Sequence, residues 1–372
     1  MIQLVEVKSH AELKQFIYLP KRIYRDYKNW VPPIFADEWS FHNPQKNEAH
    51  KHAKTSHFLA LKNGEPAGRI MGIIHEKYNA AHEPVARFYQ LDCINDHEVF
   101  RALLNRVERW ARDNGLNKII GPYGFSDKDP QGYQVEGFDH PALIATPSHP
   151  PYLPELLMKE GYQKEVDCVS YLFDVPDQMP EIYKKISDRV TSRGELSLVN
   201  IKNKSVLKSY IIPVFRLVND AYSNIFGFVP MSETEMVKFA GQYISILDRY
   251  FVKIIVNKKN EVVAFVVSMP NISIGLRKAK GELLPFGFIP ILLSMRRTKQ
   301  LDLLLGAVKP GYRGKGLTAL LATALLTSAK ERGLKQIDSH LILEENYVMR
   351  AECENLDGKV HKRYRVFGKT LR

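Results

Sequence analysis

The densest chemistry in this chain lies near its carboxy-terminal end. Leu301-Asp302-Leu303-Leu304-Leu305-Gly306-Ala307-Val308 is followed by Lys309-Pro310-Gly311-Tyr312-Arg313-Gly314-Lys315-Gly316 and then by an apolar stretch from Leu317. A buried strand that feeds a glycine loop and opens a helix is good geometry for holding an anion. Glycines let the backbone come close and turn its N–H groups toward the ligand. The helix dipole adds positive potential at the same point, and Arg313 and Lys315 add full charges. A diphosphate supplies the matching negative charge. Two other phosphate loops do not fit. A Walker loop wants Ser or Thr after its lysine, and Lys315 is followed by Gly316. A dinucleotide fingerprint needs three spaced glycines after the first strand of its unit, and this loop comes late.

The elements that must position the loop follow from periodicity. After the strand Leu301–Val308 and the helix Leu317–Arg332, which stops at Gly333, the pattern predicts a strand Gln336–Leu343, a helix Tyr347–Glu354 and a strand Tyr364–Phe367. Upstream lie a strand 196–201, helices 206–222 and 233–247, and a hairpin 250–268 around Asn257-Lys258-Lys259-Asn260. The first half repeats that order. A strand at 2–7, a helix at 11–27, a hairpin 55–74 turning at Asn63-Gly64, a strand 87–92, a helix 98–113, a strand 118–121, a short helix 153–160 and a strand 166–173 are expected. No residue-level repeat accompanies the shared order. Asp338, His340 and Glu344 fall on alternate positions of the predicted strand that follows the loop helix, which puts their side chains on one face.

Strand, Arg-Gly-Lys-Gly and helix together resemble the acetyl-CoA signature of the GNAT (GCN5-related) N-acetyltransferases, [QR]-x-x-G-x-[GA]. Arg313 fills its first position and Gly316 its fourth, while Thr318 stands where Gly or Ala is usual. The resemblance covers about residues 194–372. It implies an α/β fold of two tandem GNAT-like domains, each a mixed, mostly antiparallel sheet flanked by helices. Residues 1–176 would be a degenerate first domain, 177–193 a linker, and 194–372 an acyltransferase domain with an apolar insertion at 275–299. It also implies acetyl-CoA or another acyl-CoA as co-substrate, bound by Val308, Arg313, Gly314, Lys315, Gly316, Leu317 and Thr318. Asn346, at the start of the following helix, is either a further contact or a plain helix cap. The general base for the amine would be His340 or Glu344. Cys353 occupies the position where a Tyr often protonates the departing thiolate. Its neighbours Glu352 and Glu354 oppose that role and favour a structural cysteine. The acceptor would be a small-molecule or peptide amine.

At the matching place in the first half stands Cys93-Ile94-Asn95-Asp96-His97, without glycine, where Asp96 and Glu98 would repel a diphosphate. That half is expected to be silent toward CoA. The loop from Gly121 to Gly132 and the segment Glu136–Asp139 either line a substrate pocket or pack on the surface. In the insertion, basic residues bracket the apolar run Leu283–Met295. It could border an acyl-chain channel, dock an acidic acyl carrier protein, graze an anionic membrane, or pack as a helix between the halves.

Composition bounds these readings. A chain of 372 residues with 45% hydrophobic and 25% charged residues suits two folded domains. Three cysteines far apart form neither a metal motif nor a disulfide framework, so no metal and a reducing cytoplasm are expected. The net charge of +12 attracts anionic partners, among which coenzyme A is favoured over nucleic acid. No apolar run is long enough to span a bilayer. Two rival functions share the fold: aminoacyl-tRNA-dependent transfer, and acyl-CoA sensing without catalysis.

Overall fold

The computed structural model describes residues 1–371 except Ser245 and the side chain of Gln242. The first half holds strands β1 (Ile2–Glu6), β2 (Ala53–Lys62), β3 (Glu65–His75), β4 (Ala86–Cys93), β5 (Lys118–Gly121), β6 (Tyr133–Glu136) and β7 (Gln163–Asp174). The second holds β8 (Leu196–Leu198), β9 (Val252–Asn257), β10 (Val262–Pro270), β11 (Gln300–Val308), β12 (Gln336–Asp338), β13 (Ile342–Leu343) and β14 (Lys359–Thr370). The helices are α1 (His10–Ile23), α2 (Phe35–Phe41), α3 (Glu76–Ala81), α4 (His97–Asp113), α5 (Tyr152–Lys159), α6 (Glu181–Ser192) and α7 (Lys204–Ser209). They continue with α8 (Ile211–Ala221), α9 (Glu233–Tyr243), α10 (Ser273–Ala279), α11 (Phe288–Arg297), α12 (Leu317–Glu331) and α13 (Tyr347–Glu354).

Local chemistry accounts for many of these boundaries. Ser9 and Glu12 form a capping box that starts α1, and Ser232 with Glu235 does the same for α9. Asn63 and Gly64, both at positive φ, turn β2 into β3, with Lys62 opposite Glu65. The helix α4 buries Phe100, Leu103, Leu104, Val107 and Trp110 at helical spacing. Leu- and Ala-rich α12 is a strong helix former and stops ahead of Gly333, which takes φ 69.

Twelve strands form one path in the order β1-β2-β3-β4-β5-β14-β7-β12-β11-β10-β9-β8, with β6 branching onto β14 and β13 onto β7. Read inward from either edge, the first five strands follow chain order. Each half has one parallel contact, β4 with β5 and β11 with β12, and the remaining pairings are antiparallel. Two α/β units with mixed, mostly antiparallel sheets therefore stand side by side. Between them the terminal strands are exchanged. β14 lies on β5, with Phe367 opposite Gly121, and β7 lies on β12, with Phe173 opposite Ile337. The cores are exchanged as well. Phe367 is buried with α4 of the first half, while Val169, Tyr171 and Phe173 of β7 pack with Leu325 and Leu326 of α12.

One sequence expectation changes, and two segments gain detail. The single strand Gln336–Leu343 is broken at Ser339–Leu341, where His340 takes φ 57, so Asp338, His340 and Glu344 do not alternate along one strand. The polar segment 177–193 contains α6, which buries Tyr183, Ser187 and Val190. The Gly121–Gly132 loop is packed against the second half. Tyr123, fully buried, donates from Oη to Phe226 O at 3.0 Å, and Lys128 Nζ donates to Val229 O at 3.0 Å.

Candidate active site

The two strands that flank the predicted site stay together for three residues and then part. β11 pairs with β12 only from Gln300–Gln336 to Asp302–Asp338. Beyond that point a bulge at Leu304 shifts the register of β11 on β10, because Val267 faces Leu305 while Ser268 faces Leu303. On the other side the chain leaves β12 and rejoins the sheet as β13 on β7. The resulting opening leaves Leu303–Val308 without a strand partner on one edge. That edge offers alternating N–H and C=O groups to an extended ligand, although Gly306 O already accepts from Tyr222 Oη at 2.9 Å. Val308 lies half-buried at its far end.

That end carries the glycine loop. Gly314 and Gly316 take φ 72 and 84, a backbone that other residues rarely adopt, and Gly316 is the N-cap of α12. No side chain caps α12. Among the described residues, the N–H groups of Gly314, Lys315 and Gly316 have no hydrogen-bond acceptor. The first N–H groups of the helix, from Leu317 and Thr318, have no partner within it. Arg313 and Lys315 are exposed, and Lys315 Nζ sits 5.0 Å from the Tyr312 ring centre. Leu317 is a core residue and can offer only its backbone, whereas Thr318 is half-buried. The space around the two glycines differs. A Cβ on Gly314 would meet nothing within 4 Å, but one on Gly316 would come within 2.6 Å of Ile186 Cγ2 on α6. Gly316 is thus required by helix packing as well as by its φ.

The first half has the same parting of strands and a different filling. β4 and β5 pair only at Ala86–Ile119 and Arg87–Ile120. The edge of β4 is taken by Tyr133 Oη, donating to Leu91 O, and by Tyr152 Oη, donating to Cys93 O at 2.6 Å. Asp96 caps α4 by accepting from Glu98 N and Val99 N, and is itself ion-paired to Lys62. A carboxylate therefore sits where an anion would bind.

The other residues singled out from sequence are placed as follows. Asn346 caps α13, its Oδ1 accepting from Met349 N at 3.2 Å. Glu344 is ion-paired to Lys164 and Arg363, which hold its carboxyl below the usual range. Cys353 is 2% exposed and packed with Tyr171 and Phe173; burial, then Glu352 and Glu354, pushes its thiol up to about 12. Burial pushes the His340 imidazole down to about 4, with Asp338 opposing, and its Nδ1 is engaged by Leu341 N. The structure therefore keeps His340 neutral and weakly basic.

A buried polar cluster, legible in sequence only through Asp338, lies at the base of the opening. Asp302 and Asp338, each 1% exposed, are register partners at the last paired position of β11 and β12. Asp302 accepts from Asn271 Nδ2 and Gln300 Nε2, both at 2.8 Å. Burial and then the Asp338 charge push its carboxyl up to about 8. Asp338 is also buried, but His361, Lys362 and Ser170 hold it well below the usual carboxylate range. Lys362 Nζ is 3.1 Å and His361 Nε2 2.9 Å from Asp338 Oδ2, and Ser170 Oγ is 2.5 Å from Oδ1. Within this cluster, His361 Nδ1 is buried without a partner among the described residues. A concavity of about 350 Å³ lies elsewhere, between Leu198–Lys202, Tyr250 and Ala324, and it shares no residue with the loop or the opening.

The fold recurs in solved structures. The tandem GNAT protein of the clavulanic acid biosynthesis pathway superposes with a TM-score of 0.54 at 12% identity, covering 100% of this chain and 98% of that one. A GCN5-related N-acetyltransferase from Sphaerobacter thermophilus gives 0.51 at 10%, covering 100% and 96%. The chain has the GNAT fold, in tandem. In GNAT terms, the opening beside β11 and the loop before α12 belong to the second unit and the tyrosine-filled opening to the first. No protein-family model matches the chain. Among curated proteins it is 29% identical over 383 residues to the bacterial ceramide synthase of Caulobacter vibrioides, covering 100% of this chain and 98% of that protein. It is 28% identical to protein YghO of Escherichia coli, covering 97% and 93%.

Proposed function

We propose that this chain is an acyl-CoA-dependent N-acyltransferase whose second unit holds the coenzyme. The observation that carries the reading is the set of unused N–H groups on the loop Gly314–Gly316, ahead of an uncapped helix and between two exposed cations. Those groups suit the diphosphate. The edge of β11 beyond Asp302, where Tyr222 Oη holds Gly306 O, would take the amide-bearing arm that follows it, with Asp302 and Asp338 at the base of the same opening. There a neutral amine attacks the thioester carbonyl, the C–N bond forms, the C–S bond breaks and the thiolate leaves with a proton. Asp302, titrating near the working pH, is better matched than His340 to take the proton of the amine. Asn346 can add its free amide N–H to the coenzyme site.

The acceptor in this reading is a long-chain amine. A ceramide is the fatty amide of a long-chain amino alcohol, and the full-length similarity to a protein named for making it favours that class over a peptide. The deciding experiment mixes the full chain with a fatty acyl-CoA and a long-chain amino alcohol and follows release of free CoA thiol together with amide product. Tight CoA binding without amide under any amine would favour an acyl-CoA sensor. Absence of CoA binding would overturn the reading.

A further inference from the structure

The hairpin α10–α11 leaves an apolar surface that none of the described residues covers. Leu284 and Phe286 are 81% and 70% exposed, and Phe288, Ile289, Leu292 and Leu293 are each more than two-fifths exposed. A continuous patch of this kind on one short segment signals a partner rather than ordinary surface scatter. The charge around it narrows the choice. Arg277, Lys278 and Lys280 precede the apolar run and Arg296, Arg297 and Lys299 follow it; all six are exposed. None of the six has a carboxylate partner among the described residues. The single acid between Ser273 and Lys299 is Glu282, and it is neutralised by Lys21 at 2.9 Å.

The patch is held firmly from behind. Ile272, Leu276 and Ile291 are buried with Val31 and Ala142 of the first unit and Met269 of β10. Gly281 O accepts from Phe35 N at 3.0 Å, and Ser273 Oγ donates to Ala142 O at 2.8 Å. Both units thus present one fixed apolar face with cations at its rim. The same cluster includes Leu304, the bulged residue at the opening.

We propose that α10–α11 is an interfacial anchor that seats the protein on an anionic lipid surface. Leu284, Phe286 and the exposed side of α11 enter the boundary between headgroups and acyl chains, and the six cations meet the anionic headgroups. α11 has only 10 residues, too few to cross a bilayer, so the contact lies in the plane of the surface. Because Leu304 backs the same cluster, the anchored face lies close to the base of the opening, where a lipid amine would arrive. The anchor itself does not rest on the assignment of the reaction.

The test uses the full chain in co-sedimentation with phosphatidylcholine vesicles, with and without phosphatidylglycerol. Wild type pellets with the anionic vesicles and is released by salt. Leu284→Ser with Phe286→Ser, and separately Arg296→Glu with Arg297→Glu, each weaken binding at least about tenfold while melting like wild type. Failure of wild type to pellet, or unchanged binding of both variants, overturns the proposal. So does a wild-type dimer that the serine variant dissolves, which would assign the patch to a second copy. Vesicle binding is expected to survive Arg313→Glu, so loss of CoA chemistry and loss of anchoring are read separately.

Discussion

Asp302 and Asp338 face each other at the last paired position of β11 and β12, one pushed up to about 8 and the other held well below the carboxylate range. Two adjacent buried carboxyls cannot both ionise cheaply, and here the ammonium of Lys362 sits on one side only. Lys362 and His361 touch Asp338, whereas Asp302 has the neutral amides of Asn271 and Gln300. The pair therefore carries one proton near neutral pH, and Asp302 holds it.

That asymmetry predicts a pH signature. A carboxyl whose native pKa is raised favours the folded state below its unfolded value, and the contribution is lost as pH rises through the native value. Between about pH 4 and 8, wild type is expected to lose up to roughly 5 kcal/mol relative to Asp302→Asn, which cannot ionise. Thermal melts of both proteins across that range check it. If Asp302 takes the proton from the amine, the rising limb of the wild-type pH–rate profile near 8 disappears in Asp302→Asn and survives in His340→Ala. Retention of the limb in Asp302→Asn would remove the assignment.

Arg313→Glu combined with Lys315→Glu places two anions at exposed positions of the loop. CoA affinity is expected to fall at least about tenfold, near 1.4 kcal/mol, with melting unchanged. Calorimetry with CoA measures it. Gly316→Val is a poorer probe, because its side chain would strike Ile186 and destabilise the contact between α6 and α12.

One CoA per chain is the expected stoichiometry. Asp96 already occupies the helix N-terminus of the first unit, and Tyr133 and Tyr152 already hold the edge of β4. Two equivalents in a titration of the full chain would contradict this account of the first unit.

Cys353→Ser puts a hydroxyl where an apolar cluster has no partner for it. A loss of about 1–3 kcal/mol in stability is expected, with a rate close to wild type. A rate loss beyond about tenfold in a variant that melts normally would return the thiol to the role of proton donor.

The glycine loop and its helix were legible in sequence because their signals are local: φ-permissive residues, paired cations and a Leu/Ala run within a few positions. The Asn63-Gly64 hairpin was legible for the same reason. The cluster around Asp338 was mostly hidden, since Ser170, Asp302 and Lys362 meet through strand register between distant segments. Its one trace in the sequence reading was Asp338; Asp302, an acid inside the apolar run Leu301–Val308 that burial obliges to find partners, was a further local signal that went unread. The break at His340 escaped because alternation over eight residues reads as one strand even where the chain leaves the sheet. The exchange of β7 and β14 has no local signal, as both strands would look the same in either unit.

That exchange has a consequence for synthesis. During translation the first unit emerges with the edge of β5 bare, and the strand that covers it follows only after the other elements of the second unit. Until β14 arrives, a nascent chain holds Phe88, Phe100 and Tyr162 in a core that still lacks Phe367. Ribosome-bound intermediates are therefore expected to recruit chaperones until β14 has emerged, and removal of Lys359–Thr370 should spoil the first unit more than the second.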